Sequence, residues 1–88
     1  MSEYRIFETE QFEEDLLKNF GPVEAKLTKK FREHVYPHLK AEPYFGKNIR
    51  KLRGHKPEIW RYKVGPYRFF YEIDEANKIV SMIAAEAD

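Results

Sequence analysis

Residues 59–74 read IWRYKVGPYRFFYEID. Trp60, Tyr62 and Val64 alternate with Ile59, Arg61 and Lys63, the two-residue period of a β-strand. After Gly65-Pro66 the alternation resumes, with Tyr67, Phe69, Tyr71 and Ile73 set against Arg68, Phe70 and Glu72. If Gly65 and Pro66 form a two-residue loop, Val64 faces Tyr67, Tyr62 faces Phe69 and Trp60 faces Tyr71. That face is aromatic and apolar and suits a core. The other face sets Lys63 opposite Arg68 and Arg61 opposite Phe70. Two cations directly across a sheet repel, and the sequence puts no carboxylate beside them. Such a pair makes best sense if an anion comes from outside. A longer loop would shift the pairing.

The charge around the hairpin is uneven. From Lys47 to Arg68 the chain carries Lys47, Arg50, Lys51, Arg53, Lys56, Arg61, Lys63 and Arg68 against the single acid Glu58. Both flanks are acidic, which brings the whole chain back to +1. A basic block in a near-neutral chain points to a local anionic partner. A solvated charged surface is the plainer account of most such clusters. Here, though, the cations are interleaved with Trp60, Tyr62 and Tyr67 and fall on strands rather than on a tail.

At 88 residues the chain is expected to form one domain, residues 1–88. The absence of cysteine excludes a disulfide framework, a thiolate metal site and a thiol nucleophile. No apolar run is long enough to span a bilayer, and SEYRIFETE is too polar for a signal peptide. The expectation is a reducing cytoplasm and no membrane partner.

Outward from the hairpin, Tyr4–Phe7 reads as a first strand. Thr9 can cap a helix in which Phe12, Leu16 and Phe20 recur at spacing four, with Leu17 beside them. Glu10, Glu13, Glu14 and Asp15 occupy its early turns, where the helix dipole favours negative charge. Gly21-Pro22 breaks it, and Pro22 suits the start of a second helix carrying Val23, Leu27, Phe31 and Val35. Pro37 ends or kinks that helix. Ile49–Arg53 is a short strand, Gly54–Pro57 a turn, Glu75–Asn77 another turn, and Lys78–Ala84 a last strand. The order β-α-α-β-β-β-β makes an α+β fold. Two N-terminal helices cover one face of a small antiparallel sheet, with the first strand added beside the run. Arg61, Lys63 and Arg68 project from the other face.

His34 and His38 are four apart, the spacing of two ligands on one helical face, but Pro37 lies between them and no third ligand is evident. No metal or cofactor is expected. His55, in a turn beside the basic block, is a minor candidate for proton transfer. Guanidinium groups bind phosphate bidentately and an ammonium adds a point charge. Arg61, Lys63 and Arg68 on one strand face could therefore clamp the scissile phosphate of an RNA strand. Cleavage by the RNA's own 2′-hydroxyl needs no metal. It needs the phosphate held in line, the extra negative charge neutralised and protons moved at both ends. A lysine crowded by other cations can serve as a base. Exposed aromatics would stack unpaired bases.

The segments YRIFETEQFEEDL, PYFGKNIRKLRG, the hairpin itself and KIVSMIA resemble the RelE/ParE superfamily of type II toxin–antitoxin toxins over nearly the whole chain. The resemblance implies a small antiparallel sheet with two N-terminal helices. It also implies one of two activities: ribosome-dependent mRNA endonuclease in RelE-like members, or DNA gyrase poisoning in ParE-like ones. It implies a cognate antitoxin that covers the toxin, with ribosome and mRNA, or alternatively gyrase, as further partners. By position, Arg61 and Lys63 match basic residues of the RelE active strand, and Arg68 matches the phosphate-stabilising arginine of the next. Lys47, Arg50, Lys51, Arg53, His55 and Lys56 fall in the upstream segment that meets RNA and ribosome. The family usually continues past the last strand with a basic residue or a His-Arg pair and then a tyrosine. This chain reads Ala84-Ala85-Glu86-Ala87-Asp88 there, acidic where the family is basic. The expectation is a C-terminus lost or replaced, or a protein that binds without efficient cutting. A relative that only binds its antitoxin is the third alternative.

Overall fold

The computed structural model describes residues 3–21, 24–54 and 56–87. Strand β1 (Arg5–Glu8) leads into helix α1 (Glu10–Phe20). Helix α2 (Glu24–Lys30) passes through a π-helical turn (Phe31–Val35) into α3 (Tyr36–Ala41). Four strands follow: β2 (Ile49–Lys51), β3 (Trp60–Val64), β4 (Tyr67–Asp74) and β5 (Ile79–Ala87). The expectations for Pro22, Val23 and His55 lie outside the described residues, as do Asp88 and the side chain of Leu27.

The hairpin has the register read from its period. Val64 pairs with Tyr67, Lys63 with Arg68, Tyr62 with Phe69, Arg61 with Phe70 and Trp60 with Tyr71. Gly65 takes a φ of 57°, which an L side chain rarely adopts, and proline fixes the next φ as negative. That sign pattern is the one a tight two-residue hairpin with glycine first requires.

The sheet runs β1-β5-β4-β3-β2. Strands β2 to β5 are antiparallel neighbours, as short connections demand, whereas β1 lies parallel to β5. The sheet is therefore mixed at one edge. Parallel neighbours need a long connection, and the helices and three strands between β1 and β5 supply it.

Strand β5 is longer than its sequence pattern indicates, running on to Ala87 to pair with Tyr67. Its register against β4 steps from Ala84 to Met82, leaving Ile83 as one extra residue. This bulge restores the alternation, so Val80, Met82 and Ala85 all enter the core. Beyond Glu8 there is no β1 left to pair with β5. Helix α1 takes over: Asp15 accepts the Ala85 N–H at 2.9 Å, and Asn19 donates to the Ala85 carbonyl at 3.2 Å. Two side chains thus satisfy a strand edge that would otherwise be open.

Helix α1 starts where expected. Thr9 Oγ1 accepts the Phe12 N–H at 3.2 Å and donates to the Met82 carbonyl at 2.8 Å, tying the cap to β5. Phe12, Leu16 and Phe20 are buried, and Leu17 is exposed. Pro37 does not end the second helix. Its missing N–H falls just after the π turn, where the Tyr36 N–H reaches back to the Phe31 carbonyl. The wider turn admits the ring and lets Leu39 stay in the core. Phe69 sits at the centre of that core, with the Phe31 ring 4.5 Å away and those of Phe20 and Phe12 at 6.1 and 6.4 Å. The helices cover only this face, which leaves the other open.

Candidate nucleic-acid interface

The open face takes its charge from strand register. Residues opposite one another in an antiparallel pair share a face, with Cβ atoms roughly 5 Å apart. Lys63 faces Arg68 on β3–β4, and Arg50 faces Arg61 on β2–β3. Two adjacent rungs therefore carry cation against cation. Ile49, opposite Tyr62, packs against the core, and this fixes Arg50 on the outer side. The Lys63 N–H donates to the Asn48 carbonyl at 3.0 Å, extending the contact toward Lys47. Together Lys47, Asn48, Ile49, Arg50, Arg61, Lys63 and Gly65 line a shallow cleft of about 370 Å3. Arg61 Nε is buried there without a hydrogen-bond partner among the described residues.

The eight cations singled out between Lys47 and Arg68 do not all converge. Lys47, Arg50, Arg61 and Lys63 line the cleft, and among the described residues none of them is ion-paired. Arg68 stands beside Lys63, and its Nη2 lies 3.3 Å from Glu86 Oε1. This corrects the reading that no carboxylate accompanies the Lys63–Arg68 pair. Within the hairpin none does, but β5 brings one alongside. Lys51 pairs in register with Trp60, on the opposite parity from Arg50, and reaches Glu58 at 3.5 Å. Arg53 and Lys56 are exposed in the β2–β3 connection and do not line the cleft. Sequence reasoning missed the Arg50–Arg61 rung and Glu86. The period-2 pattern of β2 is too short to set its register, and Glu86 depends on a pairing made only in the folded chain.

The remaining polar groups of note face each other. Glu75 accepts hydrogen bonds from Lys78, from the Tyr4 hydroxyl at 2.5 Å and from the Tyr44 hydroxyl at 2.7 Å. These three donors, Lys78 first, lower its pKa to about 2. Tyr36 donates to Glu8, and burial followed by that bond pushes its pKa up. Tyr71 donates to the Pro43 carbonyl at 2.8 Å, and burial raises its pKa too. His38 Nε2 donates to the Phe45 carbonyl at 2.8 Å, so Nδ1 is left to accept from Tyr62 at 3.4 Å. A Cβ on Gly46 would lie 2.5 Å from the His38 ring, so glycine admits the loop there. His38 is a brace between α3 and the loop before β2. Among the described residues no group of three or more His, Cys, Asp or Glu could hold a metal ion.

Against known proteins, residues 6–84 match the family profile of the ParE toxin of the type II toxin–antitoxin system parDE. The chain belongs to this RelE/ParE superfamily of type II toxin–antitoxin toxins. No curated protein sequence matches it. Solved structures share its fold. A chain of the RelBE2 toxin–antitoxin complex of Mycobacterium tuberculosis is 22% identical with a TM-score of 0.76, over 98% of this chain and 99% of that one. The archaeal RelE–RelB complex of Pyrococcus horikoshii gives 19% identity and a TM-score of 0.69, over 99% and 96%. The intact RelBE toxin–antitoxin complex of E. coli gives 24% and 0.67, over 97% and 96%. At these identities the likeness is one of fold.

Proposed function

We propose that this toxin acts on RNA, gripping the backbone of a message in the β2–β3 cleft and cutting it on the ribosome. The carrying observation is the pair of like-charged rungs, Arg50 against Arg61 and Lys63 against Arg68, on the face no helix covers. Like charges directly opposite one another destabilise a sheet. A phosphate between them turns that repulsion into charge-assisted hydrogen bonds. Arg61 and Arg50 offer planar forks, and Lys63 and Lys47 add point charges. In the reaction the RNA 2′-oxygen bonds to the adjacent phosphorus as the bond to the 5′-oxygen of the next nucleotide breaks. The 2′-proton leaves, and the departing 5′-oxygen takes one up. The cations hold the phosphate in line and neutralise the charge that builds on its free oxygens. Phe45, 72% exposed and two residues before Lys47, offers a surface on which a base can stack.

The similar structures are complexes with antitoxins, and this supports an antitoxin partner here. Its toxin-binding part would be acidic and amphipathic, matching the cationic rungs. Primer extension on a translated message with purified toxin and ribosomes tests the activity. Cuts at the A site, lost in Arg61→Ala, are expected; no cuts at excess toxin would end this reading. The description of the matching family favours a second reading, gyrase inhibition without chemistry of its own. Gyrase-linked DNA cleavage, with message left intact, would establish it instead.

A further inference from the structure

Four strands contribute to one level across the open face: Arg50 on β2, Arg61 on β3, Phe70 on β4 and Ala84 on β5. Phe69 and Tyr71 are wholly buried, so Phe70 between them turns away from the core and stands half-buried on the other side. This level therefore sets an aromatic side chain directly beside the two arginines. Adjacent strands lie about 4.8 Å apart, so the midpoint between Arg50 and Arg61 is roughly 7 Å from Phe70 across the sheet. That span is comparable to the step from a nucleotide's phosphate to its own base. We propose that Phe70 is the floor of a nucleobase subsite, stacking the base whose phosphate the Arg50–Arg61 rung holds. This rests on the reading of the open face as a phosphate-binding surface.

The bulge in β5 shapes the subsite. Met82 and Ala85 are buried, and Ile83 and Ala84 between them are half-buried, so two successive residues of β5 stand beside Phe70. A regular strand would alternate there and present only one. The result is an apolar patch of Phe70, Ile83 and Ala84 bordered on the β3 side by Arg61. Ala84, directly opposite Phe70, carries a single methyl group and keeps the β5 side of the patch low. Core residues precede and follow Phe70 in the strand, so packing rather than loop conformation sets its place. Every base has a π face, so an unpaired strand of any sequence can use such a floor. A duplex keeps its bases stacked on one another and cannot.

The test is the affinity of the purified toxin for oligouridylate and for an abasic ribose-phosphate oligomer of equal length. Phe70→Ala should weaken oligouridylate binding about 5- to 150-fold, the range for one base–aromatic stack, and leave binding of the abasic oligomer unchanged. The slope of log affinity against log salt should stay the same, because no phosphate contact is lost. Phe70→Leu fills the space without a ring and guards against an alanine variant that fails to fold. It should show the same selective loss, smaller in size, while Phe70→Trp should bind at least as tightly as the parent. If Phe70→Leu binds oligouridylate as the parent does, or loses equally toward both oligomers, the proposal is overturned. Arg61→Ala should weaken both oligomers alike. A parent that binds both oligomers equally removes the base subsite and leaves the phosphate surface standing. A parent that binds neither removes that surface and the subsite with it.

Discussion

Phe69 and Arg68 are neighbours in β4 and opposites in environment. Phe69 is wholly buried among the rings of Phe12, Phe20 and Phe31, whereas Arg68 lies on a face no helix covers. On the covered side the polar groups find internal partners, as Tyr71 does at Pro43 and His38 at Phe45. On the open side Arg50 faces Arg61, and Lys63 faces Arg68, which Glu86 accompanies from β5. A period of two residues separates these functions within single strands. One face is built for folding, and the other carries repulsion that folding alone would not favour.

The largest effect should come from the covered face. Phe69→Ala should lose about 3–5 kcal/mol in urea unfolding, because it empties the centre of the aromatic cluster. A loss below 1 kcal/mol would mean the core lies elsewhere. Arg61→Ala should invert that profile, shifting stability by no more than about 1 kcal/mol. It should weaken oligouridylate binding about tenfold or more, as expected for a lost hydrogen bond to a charged group. An effect on stability alone would erase the distinction between the faces.

Acid sharpens the contrast at the β1 end, where Glu75 is satisfied by Tyr4, Tyr44 and Lys78. Its folded pKa, about 2, lies below that of an unfolded glutamate. The charged form therefore adds stability that is fully present above about pH 4.5 and is lost as pH falls toward 2. Melting curves from pH 5 to pH 2 should show a shallower acid decline for Glu75→Gln than for the parent. Identical declines would remove Glu75 from the account. The smallest effect belongs to Lys51→Ala, whose exposed pair with Glu58 should contribute about 0–1 kcal/mol to stability. Because Lys51 lies away from the cleft, RNA affinity should fall less than in Arg50→Ala. An equal fall would extend the binding surface to the edge of β2.

Local patterns carried much of this into the sequence. The alternation from Trp60 to Ile73 and the Gly65-Pro66 loop set the hairpin register, and Thr9 with Phe12, Leu16 and Phe20 marked α1 and its buried stripe. What escaped depends on contacts made far along the chain. The parallel seat of β1 beside β5, the extra residue Ile83 and the approach of Glu86 to Arg68 all arise from pairings of β5. Pro37 was legible as a breaker, but the π turn that absorbs it is a tertiary solution holding Leu39 inside. Arg50 was visible as a cation, while its place opposite Arg61 needed the β2 register.

Arg50→Glu bears most directly on the central claim, because it replaces the cation facing Arg61 with an anion at an exposed site. Urea unfolding and oligouridylate binding should be measured on the same preparation. The expected result is a more stable protein, by about 0.5–1 kcal/mol, that binds RNA at least about tenfold more weakly. A variant that keeps its RNA affinity would contradict the claim that these opposed cations are there to hold phosphate.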